Sequence, residues 1–269
     1  MEQANNIFYI MSSIGIGIGI PFDGVASGWT PADITTELWL DASDASTITE
    51  SLGLVSEWRD KSGSNNDATQ VVAASQPQTG VDTIGGNNAL TFSKDYLVLD
   101  PSVDFSQYKS QELFAVMQAN DEGTSKGFFT QFDGVSNCFI HRYNNDTMKI
   151  AFFAQTSGLQ VVETPQSGLT SELVYSSYAN SGEIAVKISQ ATSYTTLSTP
   201  QSLANSTAQI GVGGRSNGVN AFDGKIGELV FVPNALSADD RYKMEGYLSW
   251  KWGLESLLPA GHPYEFSPP

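Results

Sequence analysis

The chain has 269 residues, 40% of them hydrophobic and 16% charged, and a formal net charge of −16. This acidic balance opposes attachment to phosphate backbones and to anionic lipid headgroups, so we expect neither a nucleic acid nor a membrane as a partner. The single cysteine, Cys138, excludes an intrachain disulfide, and no cysteine and histidine cluster has the spacing of a zinc site.

The N-terminal segment alternates isoleucine with glycine over residues 12 to 20. A period of two predicts an extended strand with one apolar face, made of Ile14, Ile16, Ile18 and Ile20. Such a strand needs a partner surface, which is either a neighbouring subunit or an edge of its own domain. The prolines and glycines that follow predict an arm and linker over residues 1 to 33, ahead of one domain over residues 34 to 269.

The main domain alternates apolar runs with clusters of turn residues. Pairs such as Asp133-Gly134 and Asn217-Gly218 tolerate the positive φ of tight turns. Consecutive antiparallel strands joined by such turns favour a sandwich over a parallel sheet. After an opening run at residues 37 to 41, the predicted strands cover residues 89–92, 112–118, 127–132, 138–143, 149–153, 172–178, 183–188, 208–212 and 225–232.

A helix is predicted near the C-terminus, over residues 237 to 252. Ser237 and Asp240 have the spacing of a capping box, and Gly253 suits the position after a helix. Apolar residues recur at four-residue spacing within the segment, at Met244, Leu248 and Trp252. We expect this helix to pack by one face onto the sandwich.

Three stretches carry a resemblance to a known family. They are Leu38 to Ala42 with Trp58 to Gly63, then Ala89 to Phe92, and finally Phe222 to Val230 running into Trp250 to Leu254. The chain thereby resembles the concanavalin A-like lectin/glucanase superfamily, and within it the laminin-G-like domains of phage and marine microbial structural proteins. The resemblance implies an all-β, two-sheet antiparallel jelly-roll sandwich. It implies little about chemistry, because this fold hosts lectins, hydrolases, adhesion modules and capsid proteins.

Catalytic motifs are missing from the sequence. The glucanases of this superfamily carry Glu-x-Asp-x-x-Glu on one strand, which holds two carboxyl groups about 5 to 5.5 Å apart, and that motif does not occur here. The pairs Glu57 with Asp60 and Asp223 with Glu228 are odd-spaced, so they point to opposite faces of a regular strand. We therefore expect no enzyme, with a glycan hydrolase ranked last among the alternatives.

Two polar runs are candidates for glycan contacts, because they combine planar polar side chains with an aromatic ring. A solvated hairpin is the plainer interpretation of the first run, since Asn-Asn-Asp is a good turn. We expect no cofactor except calcium, for which loop carboxylates are weak candidates. The glycan candidates are His141, Arg142, Tyr143, Asn144, Asn145, Arg215 and Asn217, and the calcium candidates are Asp95, Asp133 and Asp223.

These patterns favour a structural protein of a virus particle. The arm would dock onto a capsid or tail protein, and the sandwich would lie at the particle surface, where it would contact host-cell glycans. The absence of lysine or arginine before Arg59 also argues against a secretory signal. A homo-oligomer would suit such an assembly. The alternative is a free carbohydrate-binding module.

Overall fold

The computed structural model describes residues 28–120, 126–132, 137–144, 147–154, 158–164, 171–180, 182–189, 191–198 and 204–269. Within those ranges, the backbone alone is described for residues 137, 143–144, 147–154 and 158. The four isoleucines of the predicted arm, Ile14, Ile16, Ile18 and Ile20, lie outside the described residues.

Antiparallel strands account for most of the described chain. The strands are β1 Leu38–Asp41, β2 Ile48–Ser51, β3 Leu54–Trp58, β4 Ala68–Thr69, β5 Gln78–Ile84, β6 Asn87–Ser93, β7 Leu97–Val98, β8 Gln111–Ala119, β9 Lys126–Phe132, β10 Asn137–Asn144, β11 Thr147–Ala154, β12 Gly158–Glu163, β13 Leu173–Ala179, β14 Glu183–Ile188, β15 Thr195–Ser198, β16 Ile210–Val212 and β17 Asp223–Val232. The helix α1 covers Ala238–Lys251.

The strands form two sheets, joined at one edge by the pairing of Leu54 on β3 with Gln78 on β5. In the first sheet, β17 pairs with β8 on one side, and on the other side with β6 and then β1. This sheet extends from β8 through β13 and β14 to β15, and from β6 to β5. The second sheet has the order β12-β11-β10-β9-β16-β7-β4-β3-β2. The predicted all-β antiparallel sandwich with a C-terminal helix is confirmed.

Aromatic rings fill the space between the sheets. The ring of Phe129 on β9 lies 6.2 Å from that of Phe231 on β17, and the ring of Phe128 lies 5.1 Å from that of Tyr175 on β13. Such pairs bury large apolar areas and add about 0.5–1.5 kcal/mol each beyond that burial. The two sheets therefore share one core.

The first sheet is buried on both faces, because helix α1 covers its outer side. On β8, Leu113 and Ala115 face the sandwich core, while Phe114 and Val116 face the helix. A strand buried on both faces appears in the sequence as a continuous apolar run. The helix contributes Met244, Leu248 and Trp252 to this second core, as predicted. In the described part of the chain, no helix is long and apolar enough to cross a bilayer.

Asp60 organises the turn after β3. Its carboxylate accepts hydrogen bonds from the backbone amides of Trp39 at 2.8 Å, Ser62 at 2.8 Å and Asn66 at 3.0 Å. Aspartate favours such turns because its carboxylate binds nearby backbone amides. The turn is thereby tied to β1, to which Trp39 belongs.

Glu228 forms a buried centre between β17, β1 and the helix. Its carboxylate accepts hydrogen bonds from the indole N–H groups of Trp39 at 2.6 Å and Trp252 at 2.7 Å. The ammonium of Lys251 lies 2.7 Å from Glu228 and 2.8 Å from Asp41. Burial raises the pKa of Glu228, and Lys251 opposes that rise. Asp41 and Glu228 are 2% and 0% exposed, so a polysaccharide cannot reach this carboxylate pair.

Residues 28 to 33, which the sequence assigns to the linker, contact the domain. The ring of Trp29 packs edge-on against Tyr247 of the helix, with 6.3 Å between ring centroids. Its backbone amide donates to the carbonyl of Pro269. Thr30 caps a short 3-10 helix over Pro31–Asp33 with a complete capping box. The packed domain thus includes this segment.

Candidate functional site

Several loops meet at one end of the sandwich. Strands β10 and β16 both run antiparallel to β9, which lies between them, so their C-terminal ends share one edge of the second sheet. The backbone amide of Gly127 on β9 donates to the carbonyl of Asn220, in the loop that leads into β17, at 2.9 Å. The amide of Lys94, just after β6, donates to the carbonyl of Phe222, just before β17, at 3.0 Å. We call this region the loop end, made of residues 93–96, 120, 126–127, 142–144 and 213–223. It includes five of the predicted site residues with described side chains: Arg142, Arg215, Asn217, Asp95 and Asp223.

The loop after β16 folds back over the outer face of the second sheet. A side chain at Gly211 would overlap the carbonyl of Gly214, and that carbonyl accepts a hydrogen bond from the Thr130 hydroxyl at 2.9 Å. The fold-back places the guanidinium of Arg215 over the ring of Phe132, 4.1 Å from its centroid. This geometry is a cation–π contact. It creates a rigid surface of two planar groups.

Asn217 lies at the tip of the same loop and is exposed. Its side-chain oxygen accepts a hydrogen bond from the amide of Val219 at 3.1 Å, which fixes the orientation of the carboxamide. Gly218 lies directly against the ring of Tyr96, where an added Cβ would be 2.8 Å from Cε1. The loop end therefore offers planar polar groups beside aromatic rings.

Two of the calcium candidates also lie at the loop end. Burial raises the pKa of Asp95, and the negative charge of Asp223 raises it further, against a hydrogen bond from the Ser93 amide. Asp223 accepts a hydrogen bond from the Asn120 carboxamide at 3.1 Å. Among the described residues, no group of three or more His, Cys, Asp or Glu side chains is placed to hold a metal ion. Asp133 lies outside those residues, so calcium binding stays a prediction.

The glycan candidate His141 does not lie on the surface. Phe139 and His141, two positions apart on β10, both lie on its inward face. The His141 ring packs against the rings of Phe129 and Tyr175. Its Nδ1 lies 2.8 Å from the Tyr175 hydroxyl. Burial lowers the pKa of His141 to about 3, so the ring is neutral. A glycan cannot reach a 2% exposed ring, and the prediction for His141 is wrong. The side chains of Tyr143 and Asn144, and all of Asn145, are not described.

A second polar cluster, absent from the predicted sites, lies between helix α1 and the first sheet. The ammonium of Lys187 donates to Glu245 at 2.6 Å, and the Tyr194 hydroxyl donates to the same carboxylate at 3.0 Å. Arg241 makes a two-point contact with Glu112, at 2.9 Å from Nε and 2.6 Å from Nη2. A cleft of about 240 Å³, which we call the helix cleft, lies beside this cluster; its walls are Lys187, Thr192, Ser193, Tyr194, Ala238, Arg241, Tyr242 and Glu245.

The charges of the helix cleft are buried but paired. Burial alone would raise the pKa of Glu245, but the His262 imidazole, whose Nε2 lies 3.4 Å from the carboxylate, and the charge of Lys187 outweigh it, and the pKa is lowered. Burial and the negative charge of Glu245 together raise the pKa of Tyr194 well above its ordinary value. At neutral pH the cleft therefore contains an ionised carboxylate and a neutral phenol.

Comparisons with known proteins identify the fold. No family model and no curated protein matches the chain. The binding domain of Paraclostridial Mosquitocidal Protein 1 is similar with a TM-score of 0.56 and 11% identity, over 78% of this chain and 51% of that one. The binding domain of botulinum neurotoxin DC, in complex with rat synaptotagmin II, has a TM-score of 0.53 and 10% identity, over 78% and 51%.

The ligand-binding domain of botulinum neurotoxin serotype D, in complex with N-acetylneuraminic acid, is also similar, with a TM-score of 0.52 and 12% identity over 78% and 51% of the two chains. The likeness shows the fold alone. Our chain spans about half the length of these three proteins. The ligands in those structures therefore say nothing direct about which surface of the present chain binds.

The sequence contains a weak signal for the helix cleft. Lys187 interrupts the apolar run of β14, and Glu245 stands beside Met244 on the buried side of the helix. A charged residue is rarely buried unless it is paired, so each of them predicts a partner. The two residues are 58 positions apart, and only the packing of the helix onto β14 brings them together.

Proposed function

We propose that the chain is a carbohydrate-binding module that holds a glycan at the loop end. The observation that carries the proposal is the Arg215 guanidinium stacked on Phe132, next to the exposed carboxamide of Asn217. Sugar rings bind to flat faces flanked by a few fixed polar groups, and both are present there. A neurotoxin domain of the same fold bound to N-acetylneuraminic acid supports a glycan as the ligand class.

We also propose that the module does not hydrolyse its ligand. A retaining hydrolase needs two carboxyl groups about 5 to 5.5 Å apart at an accessible surface. Asp41 and Glu228, which share the ammonium of Lys251, are enclosed under the helix. The similar neurotoxin structures are binding domains, which fits a role in recognition. Turnover of any polysaccharide by the purified protein would refute this part of the proposal.

The test is a glycan array followed by titration of the best ligand. We expect Arg215→Ala to raise Kd at least tenfold, because losing a hydrogen bond to a charged group costs about 1.5–3 kcal/mol. Arg142→Ala, on β10 at the same loop end, should weaken binding of the same ligand. Arg59→Ala removes the same charge from another exposed turn and should leave Kd unchanged. If Arg215→Ala and Arg142→Ala bind the ligand with the same Kd as the control Arg59→Ala, a glycan site at the loop end is contradicted.

A place on a virus particle is a second proposal, carried by the Ile-Gly alternation of residues 12 to 20. In it, residues 1 to 33 dock onto a capsid or tail protein and the module faces outward. As part of the same proposal, the chain is related to concanavalin A-like and laminin-G-like domains. The motifs around Trp39 and Glu228 support this relationship. A protein receptor is the alternative partner, since one similar neurotoxin domain binds synaptotagmin II.

A further inference from the structure

The helix cleft contains more hydrogen-bond donors than the protein's own acceptors use. Lys187 is 6% exposed, and its ammonium donates to one described partner, Glu245, although it can donate to several. Arg241 uses Nε and one terminal nitrogen on Glu112, and its remaining N–H groups have no described acceptor. The Arg241 side chain is 21% exposed, so its remaining N–H groups can be reached from the cleft. The cleft is therefore suited to a ligand that brings acceptors.

The acceptors of the cleft are already occupied. The Glu245 carboxylate accepts from Ser176, Lys187 and Tyr194. The Glu112 carboxylate accepts from Arg241 and from the backbone amide of Leu236 at 2.7 Å. A ligand that offers only donors would find no free partner among these groups. Acceptor-rich anions, above all carboxylates, match the geometry of a guanidinium and an ammonium.

The dimensions of the helix cleft limit the size of its ligand. Its volume of about 240 Å³ is below the range of about 300–1,000 Å³ that drug-sized ligands occupy. The rings of Tyr194 and Tyr242 form its aromatic walls, and the second of these is 41% exposed. Thr192 and Ser193 are exposed and stand at its mouth. One six-membered ring with a small substituent fits this space.

We propose that the helix cleft binds a carboxylate-bearing molecule the size of one sugar ring, with the carboxylate at Lys187 and Arg241 and the ring between Tyr194 and Tyr242. Each cation is already paired with a glutamate, so the cleft is close to neutral. The affinity expected for one partly offset ion pair is on the order of 1 mM. The cleft is separate from the loop end, and the proposal does not depend on the glycan site proposed there.

The experiment is a titration of the isotope-labelled full chain with sodium glucuronate and, separately, with glucose. The two probes have the same sugar ring, but glucuronate carries a carboxylate where glucose carries a hydroxymethyl group. We expect glucuronate to shift the amide resonances of residues 187, 192–194 and 241–245 in a saturable way, and glucose to leave them in place. Ser193→Trp fills the mouth of the cleft without changing an ion pair, and it should raise the Kd for glucuronate at least tenfold.

Three variants make the test decisive. Thr196→Trp places the same ring on an exposed position of β15 outside the cleft and should leave glucuronate binding unchanged. Thr192→Trp blocks the mouth from a second position. The proposal is overturned if glucuronate gives no saturable shift in the cleft, if glucose binds equally, or if folded Ser193→Trp and Thr192→Trp bind glucuronate like the parent chain.

Discussion

At the residue scale, Glu228 is a buried polar contact between the helix and the first sheet. Two indole N–H groups and the Lys251 ammonium donate to its carboxylate. Removing one partner of a buried ion pair costs about 3–5 kcal/mol, because the other charge is left buried and unpaired. Glu228→Ala should therefore lower the free energy of unfolding, measured in urea, by about that amount.

The control for Glu228 is Asp239→Ala. The Asp239 side chain is 70% exposed, and its ion pair with Lys243 lies on the helix surface. Exposed helical ion pairs contribute about 0.3–0.5 kcal/mol. If Glu228→Ala and Asp239→Ala unfold at the same urea concentration, the buried centre does not hold the helix to the sheet.

Asp44 gives a prediction for acid pH. Hydrogen bonds from Ser46 and Lys61 hold the pKa of Asp44 at about 2, below its ordinary 3.8. Because the folded pKa is the lower one, the carboxylate stabilises the fold above pH 3.8, and that contribution is lost as the pH falls toward 2. A carbon-detected NMR titration should show the low midpoint in the parent chain and a higher one in Lys61→Met. Lys225→Met should leave the Asp44 midpoint in place, and a midpoint near 3.8 in the parent chain would contradict the assignment.

At the element scale, the sequence predicts best those strands that are buried. The predicted limits of β14 agree with the structure, and β8 extends only one residue beyond its prediction at each end. Both predictions are close because turn residues bound an apolar run in each case. β5, Gln78–Ile84, is largely exposed and polar, so its pairing with β6 has no apolar signal in the sequence. β4 and β7 have two residues each, which is too short for any periodicity. Tertiary pairing alone creates these elements.

The contact between helix α1 and β17 depends on a glycine. A Cβ on Gly227 would lie 2.7 Å from Cη2 of Trp252, so the indole can pack against the strand only because this side chain is missing. Gly227→Ala should destabilise the fold by about 1–3 kcal/mol, the usual cost of overpacking. In a Trp252→Leu background the added methyl group would have room, and the same substitution should cost less or become stabilising. Equal costs in both backgrounds, measured by urea unfolding, would refute the direct contact.

At the scale of the whole molecule, strand order determines which predicted residues meet. Arg142 and Arg215 share the loop end because β9 lies between β10 and β16, and a single sequence contains no signal for that order. The error at His141 has a related cause. Neighbouring residues of a strand face opposite sides, so His141 is enclosed while Arg142 is half-buried on the other face. Residue types can therefore indicate a polar run, but the face of each member depends on register.

The N-terminal segment provides a prediction for assembly. Trp29 packs on the helix, so a truncation that begins at Gly28 keeps the described domain intact. We expect this truncated protein to unfold at the same temperature as the full chain and to be a monomer by light scattering. The full chain should form larger species if the isoleucine face adds a strand to a neighbouring subunit. Monomers of equal stability for both would exclude self-assembly through residues 1–27.

The central claim is that the loop end of this β-sandwich binds a glycan, and chemical-shift mapping with the strongest glycan-array ligand tests it most directly. Our account predicts that the shifted amides cluster at residues 93–96, 126–127 and 213–223, and that Arg215→Ala abolishes the cluster while the rest of the spectrum is retained. Shifts confined to the helix cleft or to another face, or a cluster that survives Arg215→Ala, would contradict it.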